Sequence, residues 1–243
     1  MDLKFELARL TVLEISNASS LKRIPDDFFA HMLQLQSLHI SELMVDPLPS
    51  SLYNLKELRW LILRGCSCFK TMDSLKNFKN LTVLDASGAT SLTKFIDKTF
   101  RHTPKIQMLN LSHTSINRIP KLEDLGQLTH LSLRGCKLLD RLPQTDSLTN
   151  LQALDLSGTS SLVEIEDQFF SHLSFLQILN LSKTGIKTLP SVSKLKNLRQ
   201  LLLSDCIALT EIKDTYFEQM SWLQNLDNCT NLTTSTSRNS IKS

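Results

Sequence analysis

The stretch LGQLTHLSLRGCKLLDRL, residues 125–142, carries leucine at 125, 128, 131 and 133, cysteine at 136, and leucine again at 139 and 142. Within it, HLSLR alternates: Leu131 and Leu133 fall on one face of an extended segment, and His130, Ser132 and Arg134 on the other. The same spacing returns as Leu55, Leu58, Leu61, Leu63, Cys66, Phe69, Met72 and as Leu195, Leu198, Leu201, Leu203, Cys206, Leu209, Ile212. The three cysteines stand 70 residues apart each time, so the recurrence is either a thiol chemistry or the imprint of an architecture.

Following the central leucine of the frame gives Leu13, Leu38, Leu61, Leu84, Leu109, Leu131, Leu154, Leu179 and Leu201, in steps of 25, 23, 23, 25, 22, 23, 25 and 22. The run 23, 25, 22 occurs twice and accounts for the 70-residue period. A variant unit places its next apolar residue one position earlier, as in Thr114, Ile116, Ile119, Pro120 and in Thr184, Ile186, Leu189, Pro190. This is the frame of a leucine-rich repeat. It predicts an α/β solenoid of about ten units of 22–25 residues. A curved parallel sheet should form its concave face, with loops and short helical turns on its convex face. The period runs through residues 1–228, with a decayed tenth unit near Leu223–Leu226. Residues 229–243 lose it and read as a polar, frayed tail.

Turn chemistry agrees with that frame. Pro25, Pro49, Pro120, Pro143 and Pro190 follow the later apolar position, where an extended segment ends. In IPDDFFAH and IEDQFFSH, Asp27 or Asp167 is placed to cap a short helical turn whose phenylalanine plugs the convex side. Phe5, Leu7 and Leu10 enter the pattern with no polar cap, which suits a fragment of a larger protein or a chain that needs a neighbour.

The cysteine position settles as architecture. Thr114, Ala89, Thr159 and Thr184 hold the same place in other units, so a small side chain is wanted there. Parallel strands about 4.8 Å apart put cysteines three units apart at about 14 Å, beyond the reach of a disulfide or a zinc shell. The five cysteines form no disulfide framework, and Cys66-x-Cys68 lacks the second pair of a metal site.

Bulk properties exclude further classes. A net charge of +3 with no striking block of Lys or Arg argues against nucleic acid as the main partner. No apolar run approaches the length of a membrane span, and MDLKFELARL is not a signal peptide. The expected location is therefore cytoplasmic, with the nucleus as the alternative, and not secreted. In that setting the sequons at Asn17, Asn80, Asn110, Asn180, Asn228 and Asn231 carry no glycosylation. No GxSxG, HExxH or GxxxxGK[ST] occurs, and the six histidines are scattered. No enzyme, cofactor, metal or small-molecule substrate is expected.

LRGC, LDLSGTSSL and LNLSKTGIKTLPSVSKLKNLRQLLLSDC, with their Ile-Pro or Leu-Pro steps, resemble one family in particular. They are similar to the repeat region of plant nucleotide-binding leucine-rich-repeat disease-resistance proteins, over roughly residues 7–228. The L-x-G-x-I-P step of extracellular plant repeats is missing. The resemblance implies a module that recognises a pathogen effector or a guarded host protein and restrains the receptor's own nucleotide-binding domain. A scaffold or substrate-recruiting adaptor is the alternative reading.

The family assigns no contact residues, so candidates follow from strand alternation. The outward row before each central leucine contains Trp60, Val83, Met108 and His130, and the row after it contains Ile62 and Asp85. Two positions beyond that row lie Arg64 and Arg134. Trp60, Ile62, Val83 and Met108 should form an exposed apolar cluster rimmed by Arg59, Arg64 and Asp85, the composition of a binding hot spot. The competing reading covers Trp60 with a neighbouring domain or terminal segment. The serines of the Arg64 row, among them Ser112 and Ser157, read as solvated. His31, His102 and His172 recur on the convex turns and read as structural or solvated.

Overall fold

A computed structural model describes residues 7–212, apart from Ser19, Val45, Asp73, Ser74, Asp97, Gln144 and Thr145, together with Thr230. The polar tail, Cys229 and the tenth unit lie outside the described residues. Nine parallel strands form one sheet in chain order: Val12–Ser16, Ser37–Ser41, Trp60–Ile62, Val83–Asp85, Met108–Asn110, His130–Ser132, Ala153–Asp155, Ile178–Asn180 and Gln200–Leu202. Each central leucine pairs in register with the next, from Leu13–Leu38 to Leu179–Leu201. The repeat frame therefore becomes a stack of coils in which each unit supplies one strand.

Backbone hydrogen bonds tie coils together well beyond the three-residue strands. The Gln107 carbonyl accepts from the N–H groups of Thr129 and His130, at 2.8 and 3.0 Å, and the same doubled contact recurs from coil to coil. At the other end, Gly65 N–H donates to the Ser87 carbonyl and Gly88 N–H to that of Ser112, both at 2.8 Å. The donor in that second ladder always has a left-handed backbone. Asn17, Glu42, Gly65, Gly88, His113, Gly135, Gly158, Lys183 and Asp205, each four residues after a central leucine, have φ between 57° and 73°. This twist turns the chain out of the strand and into the interior. At Gly88 a β-carbon would also lie 3.3 Å from the Gly65 Cα, so stacked glycines suit both the angle and the space.

The core is continuous from end to end. Central leucines from Leu38 to Leu201, with Ile40, Leu63, Leu111, Leu133, Leu156, Leu181 and Leu203 behind them, are buried. Phe29, Phe100 and Phe170 fill the space toward the convex side and are buried, as IPDDFFAH and IEDQFFSH led us to expect. The capping expectation is corrected. The 3-10 helix Asp167–Phe170 has no side-chain cap. Asp167 Oδ1 instead accepts from Ser191 N–H at 3.3 Å. Similarly Asp26, rather than Asp27, accepts from the backbone N–H and the hydroxyl of Ser50, both at 2.6 Å. These hydrogen bonds hold the Asp26 carboxyl below its usual pKa. The acidic residues thus join neighbouring coils. Apart from this turn and a second 3-10 helix, Ser50–Asn54, the convex side holds a two-stranded pairing of Thr71–Met72 with Lys94–Phe95.

Cys66, Cys136 and Cys206 are buried in the turns behind the sheet. Each thiol donates to a carbonyl of the preceding coil: Cys66 to Ile40 at 3.4 Å, Cys136 to Leu111 at 3.1 Å and Cys206 to Leu181 at 3.1 Å. Threonine at the same place reaches a carbonyl of its own coil, as Thr114 does to Leu111 at 2.8 Å and Thr184 to Leu181 at 2.7 Å. The position therefore favours a small residue with a donor, which adds a side-chain hydrogen bond to an interior carbonyl at the turn. Burial pushes the Cys66 and Cys136 thiols up from 9.0, against the opposing pull of nearby donors.

Two outcomes should follow. Leu131→Ala empties a mid-stack site and should cost about 2–5 kcal/mol, read by denaturant unfolding; a cost near zero would mean the strand faces are reversed. Site-resolved thiol labelling at neutral pH should modify half-buried Cys68 in the folded chain and Cys66, Cys136 and Cys206 only after unfolding. Fast native labelling of those three would contradict their placement.

Candidate protein-binding face

Strand alternation sends every second residue of the sheet outward, and register stacks these residues in rows. Trp60 lies beside Val83, Val83 beside Met108 and Met108 beside His130. Successive members are about 4.8 Å apart. Trp60 keeps 49% of its surface in solvent and Met108 40%; Val83 and Ile62 are half-buried. Arg59, Arg64, His130 and Arg134 are exposed around them. The structure thus brings Trp60, Val83 and Met108 together as one apolar strip, with Ile62 beside Trp60 on the same strand. Val12 and Ile178 are also exposed in the Trp60 row, at 56% and 42%, but polar or small residues separate them from the strip. Their membership of the row was legible in the repeat spacing; their exposure was not.

Asp85 requires a correction. It is no rim residue: only 2% of it is exposed. Its Oδ2 accepts from Arg64 Nε at 2.8 Å, and its Oδ1 accepts from Ser87 N–H at 2.9 Å. The latter bond recurs as Ser112 N–H to Asn110, Ser157 N–H to Asp155 and Ser182 N–H to Asn180. An Asp or Asn directly after the central leucine therefore closes the turn that leads into the left-handed residue. Its spacing, D/N-x-S before a left-handed residue, was the signal available in the sequence.

Arg64 gains a fixed position from this. Its Nε is held on a buried carboxylate while 64% of its side chain remains in solvent, so the rest of the guanidinium fork is presented outward. Arg134, the corresponding residue three coils on, makes no ion pair among the described residues. His130 Nδ1 lies 2.8 Å from Thr129 Oγ1. The serine row is less solvated than expected. Ser112 and Ser157 are buried, and Ser112 Oγ lies 2.6 Å from Asn110 Oδ1 and 2.7 Å from Ser132 Oγ, because the chain is already turning inward there. Among the described residues no group of three or more His, Cys, Asp or Glu is arranged to hold a metal ion, and no helix is long and apolar enough to cross a membrane.

The family profile described as Leucine rich repeat matches residues 8–67, 79–138 and 149–207. The chain belongs to the leucine-rich repeat family. Among its relatives is "Probable disease resistance protein At5g45510" of Arabidopsis thaliana, 38% identical over 201 residues. That match covers 75% of this chain and 16% of the relative. "Putative disease resistance protein At4g19050", from the same plant, is 40% identical over 203 residues, covering 73% of this chain and 17% of the relative. The chain thus spans about a sixth of the length of these proteins. Solved structures with the same fold include TLR13 in complex with ssRNA13, at a TM-score of 0.69 and 21% identity, covering 91% of this chain and 33% of that one. Another is the leucine-rich-repeat ectodomain of the Arabidopsis thaliana receptor kinase GASSHO1/SCHENGEN3, at 0.66 and 24%, covering 93% and 32%. At these identities the structures share the solenoid with this chain and nothing finer.

Within this repeat sheet, Asp85→Ala should cost about 1–3 kcal/mol, because it leaves the Ser87 N–H without its partner. Thermal unfolding of Asp85→Ala beside Arg59→Ala checks this. Equal, negligible losses would mean that Asp85 is not the buried acceptor described.

Proposed function

We propose that this leucine-rich repeat chain is the ligand-sensing and autoinhibitory region of an intracellular plant immune receptor, with its concave face as the contact surface. One observation carries the reading: a tryptophan half in solvent, in a row with Val83 and Met108, with an arginine four residues on held in place by a buried carboxylate. Aromatic and arginine anchors that become desolvated together dominate protein–protein binding. A polar surface with a single apolar strip matches a folded partner better than an extended apolar ligand. The disease-resistance relatives support the plant-defence setting, and a cytoplasmic or nuclear location belongs to the same reading.

The partner is then a protein: a pathogen effector, a guarded host protein or the receptor's own nucleotide-binding domain. Trp60 serves as the apolar anchor, and Arg64 and Arg59 pair with acidic groups at its edge. The chain itself performs no chemistry in this reading and requires no cofactor.

Trp60→Ala should weaken binding to a plant receptor's nucleotide-binding module, or to an effector selected by two-hybrid screening, at least about tenfold. Its melting temperature should stay close to that of the parent chain, since the indole is half exposed. Arg64→Glu should weaken the same complex with a strong dependence on salt. Unfolding of Trp60→Ala, or binding unchanged by it, would remove the concave strip as the site.

A further inference from the structure

The net charge of +3 conceals a separation of charge along the chain. Residues 70–105 hold seven Lys or Arg against three Asp, a net of +4. Residues 140–175, one 70-residue period later, hold one Arg against six Asp or Glu, a net of −5. The sign inverts at three equivalent positions: Lys70 corresponds to Asp140, Lys76 to Asp146 and Lys94 to Glu164. All six are exposed. The inward residues of the two stretches do not diverge in this way, as Met72 and Leu142, Leu92 and Leu162, and Phe100 and Phe170 show.

Within each stretch the structure brings inverted residues together. Lys70 and Lys94 are adjacent across two coils, since the Lys70 carbonyl accepts from Thr93 N–H at 3.0 Å and Lys94 N–H at 3.4 Å. Asp140, Asp146, Glu164 and Glu166 line one open cleft of about 790 Å³ with Arg141 and His172. His172 Nε2 lies 3.7 Å from Asp146 Oδ1. Between the patches the convex side of one coil exposes Arg118 and Lys121 beside Glu123 and Asp124, a mixture of both signs. The convex backbone is hydrogen-bonded from coil to coil over the basic patch, by Ile96 to Met72 at 3.1 Å and Ser115 to Leu92 at 3.0 Å. There the coils are tied together on the convex side as well as in the sheet.

We propose that two copies of this chain associate back to back and antiparallel through their convex faces, the basic patch of each lying over the acidic patch of the other. The order basic, mixed, acidic is self-complementary about a twofold axis through the Arg118–Asp124 coil. That symmetry creates two identical contacts and closes at two copies. Individual exposed ion pairs are weak, so association draws on the repetition of the pairing on both sides of the axis. A parallel arrangement would set like charges against each other. The contact leaves the concave strip free, so it stands independently of the ligand reading.

The test is sedimentation of the 243-residue chain across a salt series. At low salt it should reach twice the mass of 27.6 kDa, returning to a monomer by about 0.5 M salt. Lys70→Glu with Lys94→Glu should give a monomer, as should Asp140→Lys with Glu164→Lys, and circular dichroism should show both variants folded. Mixed in equal amounts, the two variants should restore the dimer, because each supplies the sign that the other lacks. A monomer at low salt, failure of the mixture to associate, or assembly that grows beyond two copies would each overturn the proposal.

Discussion

No coil of this chain can bury its own leucines; each is covered only when the next coil is laid against it in register. Register is held by two backbone ladders, one on each side of the central leucine. The second depends on a left-handed residue at a fixed distance of four. That residue aims its N–H at the next coil and turns the chain inward. If one coil left its strand a residue early, its Leu-x-Leu pair would change faces and the core would lose two plugs. Four of the nine left-handed positions are glycine, and the others accept the strained angle. Inter-coil bonding therefore outweighs a local cost of about 1–2 kcal/mol per residue.

The same arrangement explains which side chains are free to carry function. The leucines of the repeat frame, Phe29, Phe100 and Phe170, and the turn cysteines and threonines face the stack and are constrained by it. Residues on the outer side of the sheet contribute only backbone to the ladder, so their side chains can vary without disturbing register. The exception is the Asp or Asn that closes the turn. At Asp85 this structural role reaches the candidate surface, because the carboxylate that bonds Ser87 N–H also holds Arg64. Part of the binding face is thereby positioned by the turn itself.

Duplication of a 70-residue period adds a second consequence. A period that preserves inward residues duplicates the architecture while leaving outward charge unconstrained. Lys70, Lys76 and Lys94 recur as Asp140, Asp146 and Glu164 on the same scaffold. Repeat proteins can in this way place opposite potentials on geometrically equivalent patches. Long-range charge affects association more than fold, so the core tolerates the inversion.

The sequence by itself determined the solenoid, its concave rows and the burial of three cysteines, because nearest-neighbour stacking depends only on the spacing of apolar residues within each unit. Trp60, Val83 and Met108 could be placed side by side from that spacing alone. Tertiary structure decided what depends on the side chain of an adjacent coil. Asp85 read as an exposed acid until Arg64, 21 residues before it, was seen on its Oδ2. Asp167 read as a cap of its own turn until the N–H of Ser191 was seen on its Oδ1. Ser112 and Ser157 read as solvated until the left-handed turn after them drew the chain inward. Periodicity records which face a residue occupies, whereas hydrogen-bond partners are chosen by distance in space between coils.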